Sequence, residues 1–185
     1  MSRDVAGLVL AAGEGRRFGR PKAVVELDGE RLVDRAVRLL ADGGAGPVFV
    51  VSGAVTLDMA GVFVVPNPSW RTGMGSSLLA GLDALPASVT AVIITLVDTP
   101  WLGPDSVRRL IAACTAGADL AVATYDGEPG HPVLLGRSHW DGLRATASGD
   151  TGARAYLRGR PDVISVDCTG TGDPSDVDTS DDLRR

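Results

Sequence analysis

Between Gly13 and Lys22 the chain reads GEGRRFGRPK, and four cations, Arg16, Arg17, Arg20 and Lys22, face one acid, Glu14. Such a loop suits a small, multiply charged anion: its glycines let backbone N–H groups approach phosphate oxygens, and its cations offset their charge. The focus is local. The 185-residue chain has a net charge of −5, which argues against a general nucleic-acid binder. A second candidate, Asp98, closes the apolar run AVIITLVD. It can hold a divalent cation beside a polyphosphate, or accept turn hydrogen bonds ahead of Thr99 and Pro100.

Spacing separates this loop from two familiar phosphate loops. Gly13, Gly15 and Gly19 give G-x-G-x-x-x-G, not the G-x-G-x-x-G of a dinucleotide fingerprint, and Pro21 comes too early for a helix to run through the segment. A Walker A loop needs Gly-Lys-Ser/Thr, whereas Lys22 lies between Pro21 and Ala23. What remains is a long open loop that swings Arg17 and Lys22 toward one point. Neither a Cys/His metal cluster nor a Gly-x-Ser-x-Gly elbow occurs, and Cys114 and Cys168 read as reduced, core-type residues of a cytoplasmic protein.

Strand and helix patterns alternate along the chain. VAGLVLAA (5–12) and AVIITLVD (91–98) are continuous apolar runs, as in strands covered on both faces. Further strands are expected at PVFVVS, GVFVVP, DLAVAT, PVLL and VISVDC. RLVDRAVRLLADGG, GMGSSLLAGLDAL and GPDSVRRLIAACTAG carry apolar residues at helical spacing, with shorter helical patterns near Trp140 and Ala153 and a last turn in TSDDLRR. Trp70, Met74, Trp101 and Trp140 are expected to pack or anchor loops.

This alternation predicts one domain over 1–185, a three-layer α/β/α, Rossmann-like fold around a mainly parallel sheet. Ligands of such sheets bind outside the carboxyl ends of the strands, where the glycine loop and Asp98 both fall. No stretch approaches the roughly 20 apolar residues of a membrane span. The start MSRDVAGLVLAAG is not read as a signal peptide, because Asp4 interrupts its charged end.

LAAGEGRRFGRPK resembles the opening signature of the MobA-like nucleotidyltransferases, and within them the molybdenum cofactor cytidylyltransferase branch. NPSWRTGMGSSLLAGL, LVDTPWL, GHPVLL, GDTGARAYL and DVDTSDDL agree in order, so the resemblance spans Leu8 to Leu183. It implies that Ala11, Ala12, Gly13, Gly15, Arg17 and Lys22 contact a nucleoside triphosphate. Asn67, Ser76 and Ser77 would lie near base and ribose. Asp98 would bind Mg²⁺, with Asp178 as a second carboxylate, and Arg17, Lys22 and Asp98 would carry the catalysis. His131, Pro132 and Asp150 would face the acceptor. Two departures, Thr99 where relatives often have Gln and Gly75 where Ser is more usual, bear on the acceptor more than on the nucleotide.

The implied reaction transfers CMP from CTP to the terminal phosphate of molybdopterin and releases pyrophosphate, with a molybdoenzyme as possible client and no role for nucleic acid or membrane. LAAG at Leu10 to Gly13, where guanylyl relatives more often resemble LAGG, points to cytosine. Three alternatives stay open: a guanylyl or other nucleotidyl transferase acting on a deazaflavin precursor or sugar phosphate, a nucleotide-binding chaperone for cofactor insertion, and a glycosyltransferase using the DVD at Asp176 to Asp178.

Overall fold

The computed structural model describes residues 4–184. Met1–Arg3, in the signal-like start, and Arg185, at the end of the last turn pattern, lie outside them. The strands are β1 (Val5–Leu10), β2 (Glu26–Leu27), β3 (Glu30–Arg31), β4 (Val48–Ser52), β5 (Phe63–Pro66), β6 (Ala91–Leu96), β7 (Leu120–Tyr125), β8 (Glu128–Gly136) and β9 (Ile164–Asp167). The helices are α1 (Leu32–Asp42), α2 (Met74–Ala84), α3 (Pro104–Thr115), α4 (Trp140–Thr146) and α5 (Ala153–Leu157). Seven strands form one sheet in the order β5-β4-β1-β6-β8-β7-β9, in which only β8 runs against the rest. The architecture is a single three-layer, Rossmann-like domain.

Alternate residues of the central strands explain why their runs are apolar throughout. Val5 and Val9 of β1, with Ile93 of β6, join the core under α1 and α3. Ala6, Leu8 and Leu10, with Val92 and Ile94, join the core under α2, α4 and α5. Gly7 and Gly81 let the helices close on the sheet: a Cβ at Gly7 would lie 3.0 Å from Leu40, and one at Gly81 would lie 2.7 Å from Leu8.

Two Asp-Gly turns reverse the chain. Asp28 and Gly29 (φ 54° and 79°) join β2 to β3, and Asp126 and Gly127 (φ 52° and 85°) join β7 to β8. Both central residues lie in the left-handed region, as a type I′ hairpin requires. The second turn makes β8 antiparallel. It brings the start of β8 to the rim where β1, β6 and β7 end. There Val122 pairs with Val133 and Thr124 with Pro129, so Gly130, His131 and Pro132 bulge out opposite Ala123 alone.

Candidate active site

β1 delivers the chain through Ala11 and Ala12 into the glycine loop, and the two leading glycines do different work. Gly15 has φ +66°, and a Cβ there would fall 1.9 Å from the Arg20 carbonyl oxygen, so the turn itself demands glycine. That turn is closed by the Gly19 N–H donating to the Gly15 carbonyl at 2.8 Å. Gly13 has neither constraint: its φ is not positive, and nothing lies within 4 Å of an added Cβ. Its bare backbone faces open space in the cleft. Phe18 packs on the core and pins the outer arm. Pro21 then leads into a short 3-10 turn, Lys22–Val24, that starts at the lysine.

Across the rim, β6 ends just before Asp98. The Asp98 carbonyl accepts the Val177 N–H at 2.8 Å, which stitches the 173–178 segment to this strand end. Asp182 fixes the next residues, its Oδ2 accepting from the backbone of Asp178 (3.0 Å) and Thr179 (2.7 Å) and from the Thr179 hydroxyl (3.0 Å). Asp178 is thereby aimed at the glycine loop. Lys22 Nζ donates to Asp98 Oδ2 at 3.0 Å and to Asp178 Oδ1 at 3.2 Å, and Arg17 Nη1 donates to Asp178 Oδ2 at 3.0 Å. Lys22 is the most sheltered of the four, its side chain 15% exposed against 76% for Arg17. Nearby, the Asp176 carboxyl is held above the ordinary carboxylate range, first by partial desolvation and then by the charges of Asp98 and Asp178.

These groups line a cleft of about 430 Å³. Ala12, Gly13, Gly15, Arg17, Lys22, Ser77, Asp98, Asp150 and Asp178 all reach it. Trp70, Arg71 and Met74 form another part of its wall, although the sequence suggested only packing for the Trp and Met and nothing for the Arg. The Arg71 guanidinium sits 4.3 Å from the Trp70 ring centre, and Gly53 makes room for Trp70, since a Cβ there would lie 2.6 Å from it.

Other expected site residues lie behind or beyond the cleft. Ala11 is buried and donates its N–H to Val51. Asn67 is buried too. Its Nδ2 donates to Ser76 Oγ (2.9 Å) and Ser77 Oγ (3.0 Å), while its Oδ1 accepts the Ser69 N–H (2.9 Å). Asn67 and Ser76 thus shape the turn ahead of α2, and Ser77 alone of the three lines the cleft. His131 and Pro132 occupy the β8 bulge on the same rim, outside the cleft lining. The His131 imidazole is pushed down to about 4, by burial first and by Arg154 second, and so stays neutral near pH 7. Asp150 reaches the cleft on a loop seated against α2. The Gly75 N–H donates to the Gly149 carbonyl at 2.9 Å, and a Cβ at Gly73 would lie 2.3 Å from that carbonyl.

The cleft's charges cancel: Arg16, Arg17, Lys22 and Arg71 are matched by Glu14, Asp98, Asp150 and Asp178. A bare polyphosphate entering would meet two carboxylates at its cationic end, and a divalent cation entering with it would neutralise them. The donor set fits such a cation. Asp98 Oδ1 is buried with no hydrogen-bond partner among the described residues, and Asp98 and Asp178 converge on one ammonium. No three His, Cys, Asp or Glu side chains among the described residues form a metal cage. Two carboxylates completed by substrate phosphates are a common arrangement for Mg²⁺.

Comparison with known proteins identifies the family. The family model for the MobA-like NTP transferase domain matches residues 7–164. Nicotine blue oxidoreductase of Paenarthrobacter nicotinovorans is 34% identical over 98% of this chain and 95% of its own length. The molybdenum cofactor guanylyltransferase of Rhodobacter capsulatus is 30% identical over 98% and 94%. Among solved structures, Rv0371c of Mycobacterium tuberculosis H37Rv in complex with manganese superposes with a TM-score of 0.74 at 28% identity, covering 98% of this chain and 97% of that one. No helix among the described residues is long and apolar enough to cross a membrane.

Proposed function

The chain belongs to the MobA-like NTP transferase family, and we propose that this nucleotidyltransferase moves CMP from CTP to the terminal phosphate of a molybdopterin-type acceptor. The observation that carries the reading is the meeting of Lys22 with Asp98 and Asp178 at the mouth of an open glycine loop. Phosphorylated pterins enter through the relatives named molybdenum cofactor guanylyltransferase, and cytosine through Ala12 in LAAG, which lines the cleft.

In this mechanism an oxygen of the acceptor phosphate attacks the α-phosphorus of the triphosphate, the bond to the bridging oxygen breaks, and pyrophosphate leaves with that oxygen. The attacking group is already anionic near neutral pH, so rate comes from alignment and charge neutralisation, not from a dedicated base. The Gly13 backbone admits the phosphates closely. Lys22 and Arg17, freed from their carboxylate partners, stabilise the charge that builds on the leaving pyrophosphate. Asp98 and Asp178 would hold Mg²⁺, which when bound supplies Lewis-acid neutralisation of the phosphates. The manganese complex of the Mycobacterium tuberculosis relative supports a divalent ion here. His131, Pro132 and Asp150 would meet the acceptor, and the product would pass to a molybdoenzyme.

A panel of CTP, GTP, ATP and UTP offered with molybdopterin and Mg²⁺, followed by pyrophosphate release, tests this. Release with CTP alone or in large excess supports it. Preference for GTP would move the protein to the guanylyl branch, and no release with any pairing would remove the reaction.

A second reading follows from the likeness to nicotine blue oxidoreductase: the cleft would hold the phosphates of a reducing nucleotide beside an organic dye. The loop's departure from the dinucleotide fingerprint places it second. Oxidation of NADH or NADPH by a quinone, followed by absorbance, would promote it.

A further inference from the structure

Between α5, the β7–β8 hairpin and β9 lies a second cavity of about 330 Å³ that shares no lining residue with the nucleotide cleft. That volume falls within the range of about 300–1,000 Å³ usual for small-molecule pockets. Its floor is apolar, built from Val122, Leu157 and Val163, and three guanidinium side chains, Arg154, Arg158 and Arg160, stand around it. In the nucleotide cleft every cation is matched by an acid. Here no carboxylate lines the wall among the described residues.

The three arginines are held differently. Arg154 Nη2 donates to the Pro129 carbonyl at 2.9 Å, which fixes it against the hairpin. Arg160 is clamped by Asp162 (3.0 and 2.7 Å) and lies 4.7 Å from the Tyr156 ring centre. Arg158 is exposed, and its side chain has no ion-pair or hydrogen-bond partner among the described residues. With Arg160 offset by Asp162, the fixed Arg154 and the unpaired Arg158 leave a local positive focus beside an apolar floor in a protein of net charge −5. The planar fork of Arg pairs with two oxygens of one anionic group at once.

We propose that this cavity is a second ligand site, for a small organic anion: a planar or apolar body carrying one phosphate, carboxylate or sulfonate. The body covers the Val122, Leu157 and Val163 floor, and the anion engages Arg158 and Arg154. The site stands on its own geometry and does not depend on which nucleotide the first cleft takes.

Fluorescence titration with 2-naphthyl phosphate tests it. The expected result is one saturable site, with neutral 2-naphthol binding about tenfold more weakly or worse and a loss of about tenfold in Arg158→Glu. Far-UV circular dichroism of Arg158→Glu should match the parent, Arg158→Lys should bind between the two, and Lys22→Met should leave the affinity unchanged. Equal binding of 2-naphthol, full affinity in Arg158→Glu, or loss of the site in Lys22→Met would overturn the proposal.

Discussion

Lys22 and Asp98 stand 76 residues apart in the chain, yet Lys22 Nζ lies 3.0 Å from Asp98 Oδ2. The loop after β1 and the end of β6 meet because those strands are neighbours and parallel, so their carboxyl ends share one rim. With Asp178 on its other side, the ammonium fills the position between two carboxylates that a divalent cation would take. On the proposed function, lysine and metal would compete in the free protein and cooperate once phosphates arrive.

Replacing Lys22 with Met should separate these roles. Mn²⁺ affinity in the absence of nucleotide, read from the free-ion electron paramagnetic resonance signal, should rise as the competing ammonium is lost. Turnover should fall on the order of 10²–10³-fold, as for deletion of one preorganised electrostatic donor. Weaker Mn²⁺ binding in the variant would contradict the competition.

The glycines give a contrast that unfolding can read. Gly15→Ala and Gly73→Ala force a side chain onto a backbone carbonyl at positive φ. Each should cost about 2 kcal/mol or more, a drop of roughly 5 °C in Tm. Gly13→Ala should leave Tm near the parent value and weaken nucleotide binding about tenfold, because an added methyl obstructs only an incoming phosphate. A large fall in Tm for Gly13→Ala would show that the fold, not the ligand, requires that glycine.

How legible this was depended on distance along the chain. The two central strands announced themselves because each is covered on both faces, and the glycine loop carried its chemistry within ten residues. Asp126-Gly127 and Asp28-Gly29 were readable hairpin signals that the alternation of strands and helices overshadowed, so the reversal of β8 and the small β2–β3 hairpin were not foreseen. Convergence of Lys22 with Asp178, 156 residues away, could not be read from spacing and came only through family resemblance. Asn67 came near base and ribose only through the family resemblance, and in the structure its hydrogen bonds go to Ser69, Ser76 and Ser77. Trp70 and Arg71 gave no signal because their value comes from the wall they share, not from their neighbours in sequence.

Acid should destabilise the protein through His131. The imidazole takes a proton near pH 6.5 when unfolded and only at about 4 when folded, so between those values the unfolded state binds more protons. Its contribution is intact above about pH 6.5 and is lost as the pH falls toward 4. Urea unfolding across that window should show this slope in the wild type and a flatter one in His131→Gln. Identical slopes would contradict the buried, neutral assignment.

Base preference should respond to Ala12. Ala12 lines the cleft, so Ala12→Gly should move the ratio of kcat/KM for CTP over GTP toward GTP by roughly tenfold, the scale of one methyl group in a fitted pocket. An unchanged ratio would place base selection elsewhere on the wall.

Whether the carboxylates around Lys22 organise phosphoryl chemistry is read from the rate of pyrophosphate release by Asp98→Asn. The substitution keeps the side chain's shape and removes its charge. Release should fall on the order of 10²–10³-fold with the circular dichroism spectrum unchanged. Release at the wild-type rate from a folded Asp98→Asn protein would contradict it.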